Sequence, residues 1–231
     1  MAVLALRERD MIRWSSIFVG LGSLILPACA DDRKDLVRVV CVGDSITYGD
    51  GVEEREKNSY PAVLQRLLGD HYRVRNFGDS GSALLAKSDK PYRKEGAYAD
   101  ALKFRPNVVV ILLGTNDTKP WNWQHADDFA ADYTELIRSF QKLSSQPQVF
   151  LCVPVPAYPG GAGIDDTRIR TGVKPKVEEL GRELNLPVID LYTTFSDKKE
   201  LFSDTVHPNA EGAKLLAETV ARAIRGDANP E

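Results

Sequence analysis

The 231-residue sequence predicts an α/β fold, a three-layer α/β/α sandwich on a five-stranded parallel sheet. Three observations predict it. Five short apolar runs rich in Val, Ile and Leu show little polar alternation, as strands covered on both faces do. Amphipathic stretches of helical spacing separate those runs. Right-handed crossovers between parallel strands then place helices on both faces.

The elements follow in order. Val37–Val42 is apolar and β-branched, the first buried strand. In "NSYPAVLQRLLGD", Asn58 or Ser59 caps a helix that has Pro61 in its first turn and Gly69 as its stop. "YRVRNFG" is a short strand ending at Gly78, and a helix follows near Tyr92–Phe104. "NVVVILLGTND" carries the strongest strand. Phe129, Tyr133, Leu136, Ile137 and Phe140 then share one helical face. "QVFLCVPV" is the fourth strand, "DTRIRTGVKPKVEELGREL" a helix despite Pro175, and "LPVIDL" the fifth strand. "PNAEGAKLLAETVARAIR" closes the chain as a helix with Pro208 at its start. Two strand orders satisfy this pattern, and we favour the flavodoxin-like 2-1-3-4-5. That order separates Cys41 and Cys152 by two strand spacings, about 9–10 Å, beyond disulfide reach. Both are expected to be free, buried thiols.

The formal net charge of −3, with both signs interspersed, argues against nucleic acid as a partner. The amino end reads as an export signal spanning residues 1–30. A basic start at Arg13 precedes an apolar run from Trp14 to Leu26, then Ala28-Cys29-Ala30 and acidic residues. Glu8 and Asp10 fit a charged n-region poorly, which makes Met11 an alternative start. The apolar run is too short to span a bilayer comfortably. Cleavage after Ala30 would leave a single domain, 31–231, periplasmic or secreted. Leu26-Pro27-Ala28-Cys29 also has the form of a lipoprotein box, with Cys29 as a possible lipid anchor.

Polar or glycine-containing loops follow the carboxyl ends of the first three strands: Gly43-Asp44-Ser45, Asn76-Phe77-Gly78 and Gly114-Thr115-Asn116-Asp117. Asp204-Thr205-Val206-His207-Pro208 precedes the last helix. In a doubly wound sheet these segments converge on one rim, where such folds hold their ligands. Ester hydrolysis needs a nucleophile, a base and donors for an oxyanion. Ser45 supplies a hydroxyl, and His207 an imidazole able to take a proton and return it. Asp204 can fix the histidine tautomer. The backbone N–H groups of Ser45 and Gly78 and the side-chain amide of Asn116 are the expected oxyanion donors. Gly78 lacks a Cβ and would let substrate approach its backbone. Asp44 and Asp117 are expected to brace the loops that carry Ser45 and Asn116.

The four segments GDSI, NFG, GTND and DTVH together resemble the blocks of the GDSL esterases, or SGNH hydrolases, in the family's order and over about Val37 to Arg225. Each block alone is a weak signal; the four in order are a strong one. Ile46 stands where the first block usually has leucine. The resemblance implies a flavodoxin-like fold, an acyl-serine mechanism without cofactor, and Ser45, Gly78, Asn116, Asp204 and His207 in the roles given above. The three histidines show no metal-ligand spacing. A flavodoxin-like binding module would account for the hydroxyl-rich first loop but not for Asn116 with Asp204 and His207.

The substrate expectation is a small-molecule or polysaccharide acyl ester, with acetyl on a sugar hydroxyl first. The stretch from "GDSITYGDGVEEREKNSYP", beginning at Gly43, through "KPWNW" looks like secreted bacterial carbohydrate O-acetylesterases, including sialate O-acetylesterases. Trp121 and Trp123 follow the oxyanion asparagine closely and can stack on a sugar ring or plug the loop. The alternative substrate is a lipid, as in exported lysophospholipases or short-chain lipases of the same fold. No long apolar insertion is available to receive an acyl chain.

Overall fold

The computed structural model describes residues 36–227 apart from 160 and 162. The export segment and Cys29 lie outside the described residues. Five parallel strands form one sheet: β1 Val37–Gly43, β2 Tyr72–Gly78, β3 Val108–Leu112, β4 Gln148–Val153 and β5 Val188–Asp190. Their order is 2-1-3-4-5, as expected. β1 pairs with β2 in register from Val37 opposite Tyr72 to Gly43 opposite Gly78, so both strands reach the rim together.

The period of two along each strand divides its side chains between two apolar layers. Val39 and Cys41 of β1, Val110 of β3 and Cys152 of β4 face one layer. That layer is closed by α3 (Tyr60–Leu68) and α10 (Ala210–Arg225). Val40 and Val42, Val109 and Ile111, and Leu151 face the other layer. There α4 (Gly96–Lys103), α6 (Phe129–Gln141) and α8 (Lys174–Leu184) supply the cover. The five residues predicted for one face of α6 are its buried set. Cys41 and Cys152 are free and buried, with β3 between their strands. Burial pushes the Cys41 thiol up to about 12 and raises Cys152 as well, which suits inert core residues.

Two predicted elements come out differently. The helix expected from Asp166 to Leu184 is three segments: α7 (Asp166–Arg168), a π-helical turn (Ile169–Val173) and α8. Pro175 stands in the first turn of α8, where its missing N–H costs little; the widened turn before it absorbs the ring. The fifth strand holds only three residues. Asp190 ends it by capping the next helix, its carboxylate accepting from Thr193 N–H at 3.0 Å.

Candidate active site

Immediately after β1, Asp44 caps a one-turn helix, α1 (Ser45–Tyr48), by accepting from Ile46 N–H at 3.0 Å. Ser45 is the first residue of that turn, so its own N–H has no intrahelical acceptor. The serine is buried, 7% exposed, yet its Oγ lies 2.9 Å from His207 Nε2. The other ring nitrogen, Nδ1, lies 2.7 Å from Asp204 Oδ2. Asp204 uses its second oxygen on its own loop, accepting from Val206 N–H at 2.6 Å and His207 N–H at 2.7 Å. Burial alone would raise the Asp204 pKa, but the bonds from the His207 ring and these two amides outweigh it and hold it below the usual range. A carboxylate there fixes the neutral imidazole with Nδ1–H donating to Asp204 and Nε2 accepting from the serine.

Asn116 opens a tight 3₁₀ turn just past β3 and is 6% exposed. Its Nδ2 donates to Ser82 O at 3.0 Å, which uses one amide hydrogen and orients the second. The Asn116 carbonyl accepts from Asn122 Nδ2 at 2.9 Å. Asn122, fully buried on α5 (Pro120–Trp123), also exchanges two 2.9 Å bonds with Asp89. Asp117 accepts from Leu84 N–H at 2.9 Å and Leu85 N–H at 2.8 Å. Burial raises its pKa to about 6 in spite of those two amides. Asp44 is likewise raised by burial, to about 7, with Ile46 N–H, His207 whenever its ring is protonated, and Thr115 opposing. Both aspartates brace loops, as the sequence suggests. The Asn122–Asp89 pair was missed: an amide between two tryptophans and a lone aspartate carry no motif.

Gly78 departs from its expected role. Its N–H donates to Asn76 Oδ1 at 2.9 Å. A Cβ there would stand 2.2 Å from Tyr48 N, so the glycine lets β2 close against α1 rather than admitting substrate. Three residues on, Gly81 (φ +83°) differs on both counts. A Cβ there would meet only Lys90, at 3.8 Å. Its N–H donates to no acceptor among the described residues. Ser80 O accepts from Lys90 Nζ at 2.7 Å, and across a trans peptide this turns the Gly81 N–H away from Lys90. The segment is tied toward the nucleophile: Ser80 Oγ donates to Asp50 Oδ2 at 2.6 Å, and Asp50 N–H to Ser45 O at 3.0 Å.

The two tryptophans separate. Trp123 packs into the core layer under α6 and α8, its ring filling the space that a Cβ on Gly172 would need. That packing plugs the loop. Trp121 is 51% exposed; its Nε1 donates to Asp89 Oδ2 at 2.9 Å, and the far edge of its ring lies against Gly163.

A parallel sheet with a Ser–His–Asp relay on its carboxyl rim, and a buried amide beside it, has the layout of a serine hydrolase. The model of the GDSL-like lipase/acylhydrolase family matches residues 41–215, and the chain belongs to that family. It is similar to an acetylxylan esterase of Xylanibacter ruminicola, 40% identical over 211 residues, covering 84% of this chain and 44% of that protein. The chain thus spans under half the length of that relative. Among solved structures, an acetyl xylan esterase is 26% identical with a TM-score of 0.65, covering 81% of this chain and 100% of that one. The aryl esterase of M. smegmatis, 21% identical over 83% of this chain and 100% of its own, shares the fold with a TM-score of 0.68.

Proposed function

We propose that the protein is a serine esterase that removes short acyl groups, acetyl first, from carbohydrate hydroxyls. The observation that carries this reading is the relay of 2.7 and 2.9 Å from Asp204 through His207 to Ser45. Ser45 Oγ attacks the ester carbonyl while His207 Nε2 takes its proton. The tetrahedral oxyanion is met by Ser45 N–H, by the free hydrogen of Asn116 Nδ2 and by Gly81 N–H in place of Gly78. Collapse breaks the bond to the alkoxy oxygen, and His207 returns the proton to the leaving alcohol. Water, deprotonated by the same imidazole, then attacks the acyl-serine and releases the acid. Asp204 stabilises the imidazolium in both half-reactions.

The likeness to acetylxylan esterases and the exposed Trp121 support a glycan as the alcohol side. Acetate release from acetylated xylan, run beside p-nitrophenyl esters of rising chain length, tests this. Activity should fall steeply beyond butyryl, and Ser45→Ala should abolish both acetate release and labelling by a serine-directed phosphonate. A preference for octanoyl or longer esters would favour a lipase and overturn the carbohydrate reading. Export is part of the proposal and rests on the Ala28-Cys29-Ala30 pattern. Mass spectrometry of the exported form should find Asp31 first, and a lipid-modified Cys29 would instead indicate a lipoprotein.

A further inference from the structure

Between α1 and α2 (Arg55–Asn58), the short loop Gly49-Asp50-Gly51 touches all three parts of the site. Asp50 N–H donates to Ser45 O at 3.0 Å, beside the Gly49 N–H that reaches the same carbonyl at 2.8 Å. Gly51 (φ +78°) is wedged against the base loop. A Cβ on it would stand 2.1 Å from Ser203 Oγ and 3.0 Å from His207 Cβ. The Asp50 carboxylate turns the third way, to the segment that carries Gly81, where its Oδ2 accepts from Ser80 Oγ at 2.6 Å. Ser80 is the only partner of that carboxylate among the described residues, and no cation there pairs with it. An aspartate fixed at its own N–H and at the next residue is an anchor, not a solvated loop charge.

Gly81 needs such an anchor. Its N–H meets no acceptor among the described residues, so the neighbouring residues must set its direction. On one side, Ser82 O accepts from Asn116 Nδ2 at 3.0 Å, and Ser82 Oγ donates to Asp79 Oδ1 at 2.9 Å. On the other side, the peptide plane that holds the Gly81 N–H begins at Ser80. The Ser80 carbonyl accepts from Lys90 Nζ at 2.7 Å, and its hydroxyl is held by Asp50. Lys90 is also paired with Asp79, so it ties Ser80 back to its own segment. Of the contacts that Ser80 makes, the one to Asp50 leads to the turn of the nucleophile.

We infer that Asp50 is a positioning residue for the oxyanion hole: through Ser80 it aims the Gly81 N–H at the oxygen that becomes negative when Ser45 attacks. This rests on the esterase reading above. A hydrogen bond weakens steeply with angle and distance, so a donor left to swing loses most of its worth in the transition state. Asp50→Ala should therefore lower kcat on p-nitrophenyl acetate roughly 10- to 100-fold with KM little changed, a smaller loss than that of a deleted donor. The same factor should appear on acetylated xylan, because the contact serves the carbonyl and not the alcohol side. Turnover is counted per serine titrated to completion with the phosphonate, which leaves unfolded chains out of kcat. Ser80→Ala should match the loss, and the double variant should lose no more than either single one, since all three remove one contact. Asp50→Asn keeps an acceptor for the Ser80 hydroxyl and should restore kcat to within about threefold, a neutral bond being weaker than a charged one. An unchanged kcat in Asp50→Ala, losses that multiply in the double variant, or failure of Asp50→Asn to rescue overturns the positioning role and leaves the esterase standing. An unaltered chain that turns over no ester overturns the esterase reading itself.

Discussion

The two halves of the relay are held in different ways. Ser45 and Asn116 sit on tight turns directly after β1 and β3, nearly buried, each followed or preceded by a fully buried aspartate whose oxygens take main-chain amides. Asp204 and His207 hang in an irregular loop before α10, with side chains 52% and 22% exposed. That loop supplies most of its own hydrogen bonds. Asp204 Oδ1 takes two amides of its own turn, Ser203 N–H donates to His207 O at 2.9 Å, and Phe202 and Pro208 form an isolated antiparallel bridge. The nucleophile and oxyanion side is positioned by the core, and the base side mainly by hydrogen bonds of its own loop, with Val206 seated against Ala157 and Ile169 and Tyr158 N–H donating to Thr205 O at 2.7 Å. Damage should therefore separate: changes on the loop should cost catalysis alone, and changes in the braces should cost folding.

The largest expected effect is on the loop side. Asp204→Asn keeps an acceptor for the loop amides but favours the wrong tautomer, so kcat should fall roughly 10⁴-fold while Tm moves little. A large fall in Tm would show that the loop is not self-contained. Next, Asn116→Ala should lower kcat roughly 10²–10³-fold with KM little changed, because one oxyanion donor is lost. Unfolding with normal turnover per folded molecule would make Asn116 structural. Asp117→Ala reverses the signature. Two buried amides, of Leu84 and Leu85, lose their acceptor, at a cost of about 2–4 kcal/mol in urea denaturation. A stability change no larger than that of Asp204→Ala would erase the contrast.

The smallest effect is a pH dependence. Asp44 titrates near 7 in the folded chain, well above an unfolded aspartate near 4. The folded state thus holds a proton that the unfolded state releases. The stability it contributes is full below about pH 4 and is lost as pH rises through about 7. Asp44→Asn keeps the oxygen that caps α1 and removes the titration. The variant should gain Tm relative to the unaltered protein between pH 4 and 8, and a constant difference would show that Asp44 stays ionised throughout.

The pattern of the chain carried most of this architecture. Each strand was legible because burial on both faces demands an apolar run, and α6 because its five core residues recur at helical spacing. Ser45 and Asn116 were legible because strand ends in a doubly wound sheet share a rim, and Asp204 and His207 because the DTVH segment before the last helix completes the four blocks of the resemblance. Pro175 misled because a π-helical turn leaves no periodic trace. β5 was read too long because Leu191, apolar and buried, belongs to α9 (Leu191–Phe195).

What sequence alone determined here is order: the succession of elements, the parallel sheet, and the residue types brought to its carboxyl rim. Those follow from local periodicity and short spacings, which the chain carries in its own string. What the tertiary structure decided is direction. Gly78 and Gly81 read alike as letters, but one N–H is taken by Asn76 and the other donates to nothing among the described residues. Trp121 and Trp123 stand two residues apart, yet Gly172 receives one ring while the other faces solvent. Asn122 became a brace only when folding placed Asp89 beside it. Where a donor or a ring points depends on partners far along the chain, because packing and hydrogen-bond satisfaction are settled between elements and not within them.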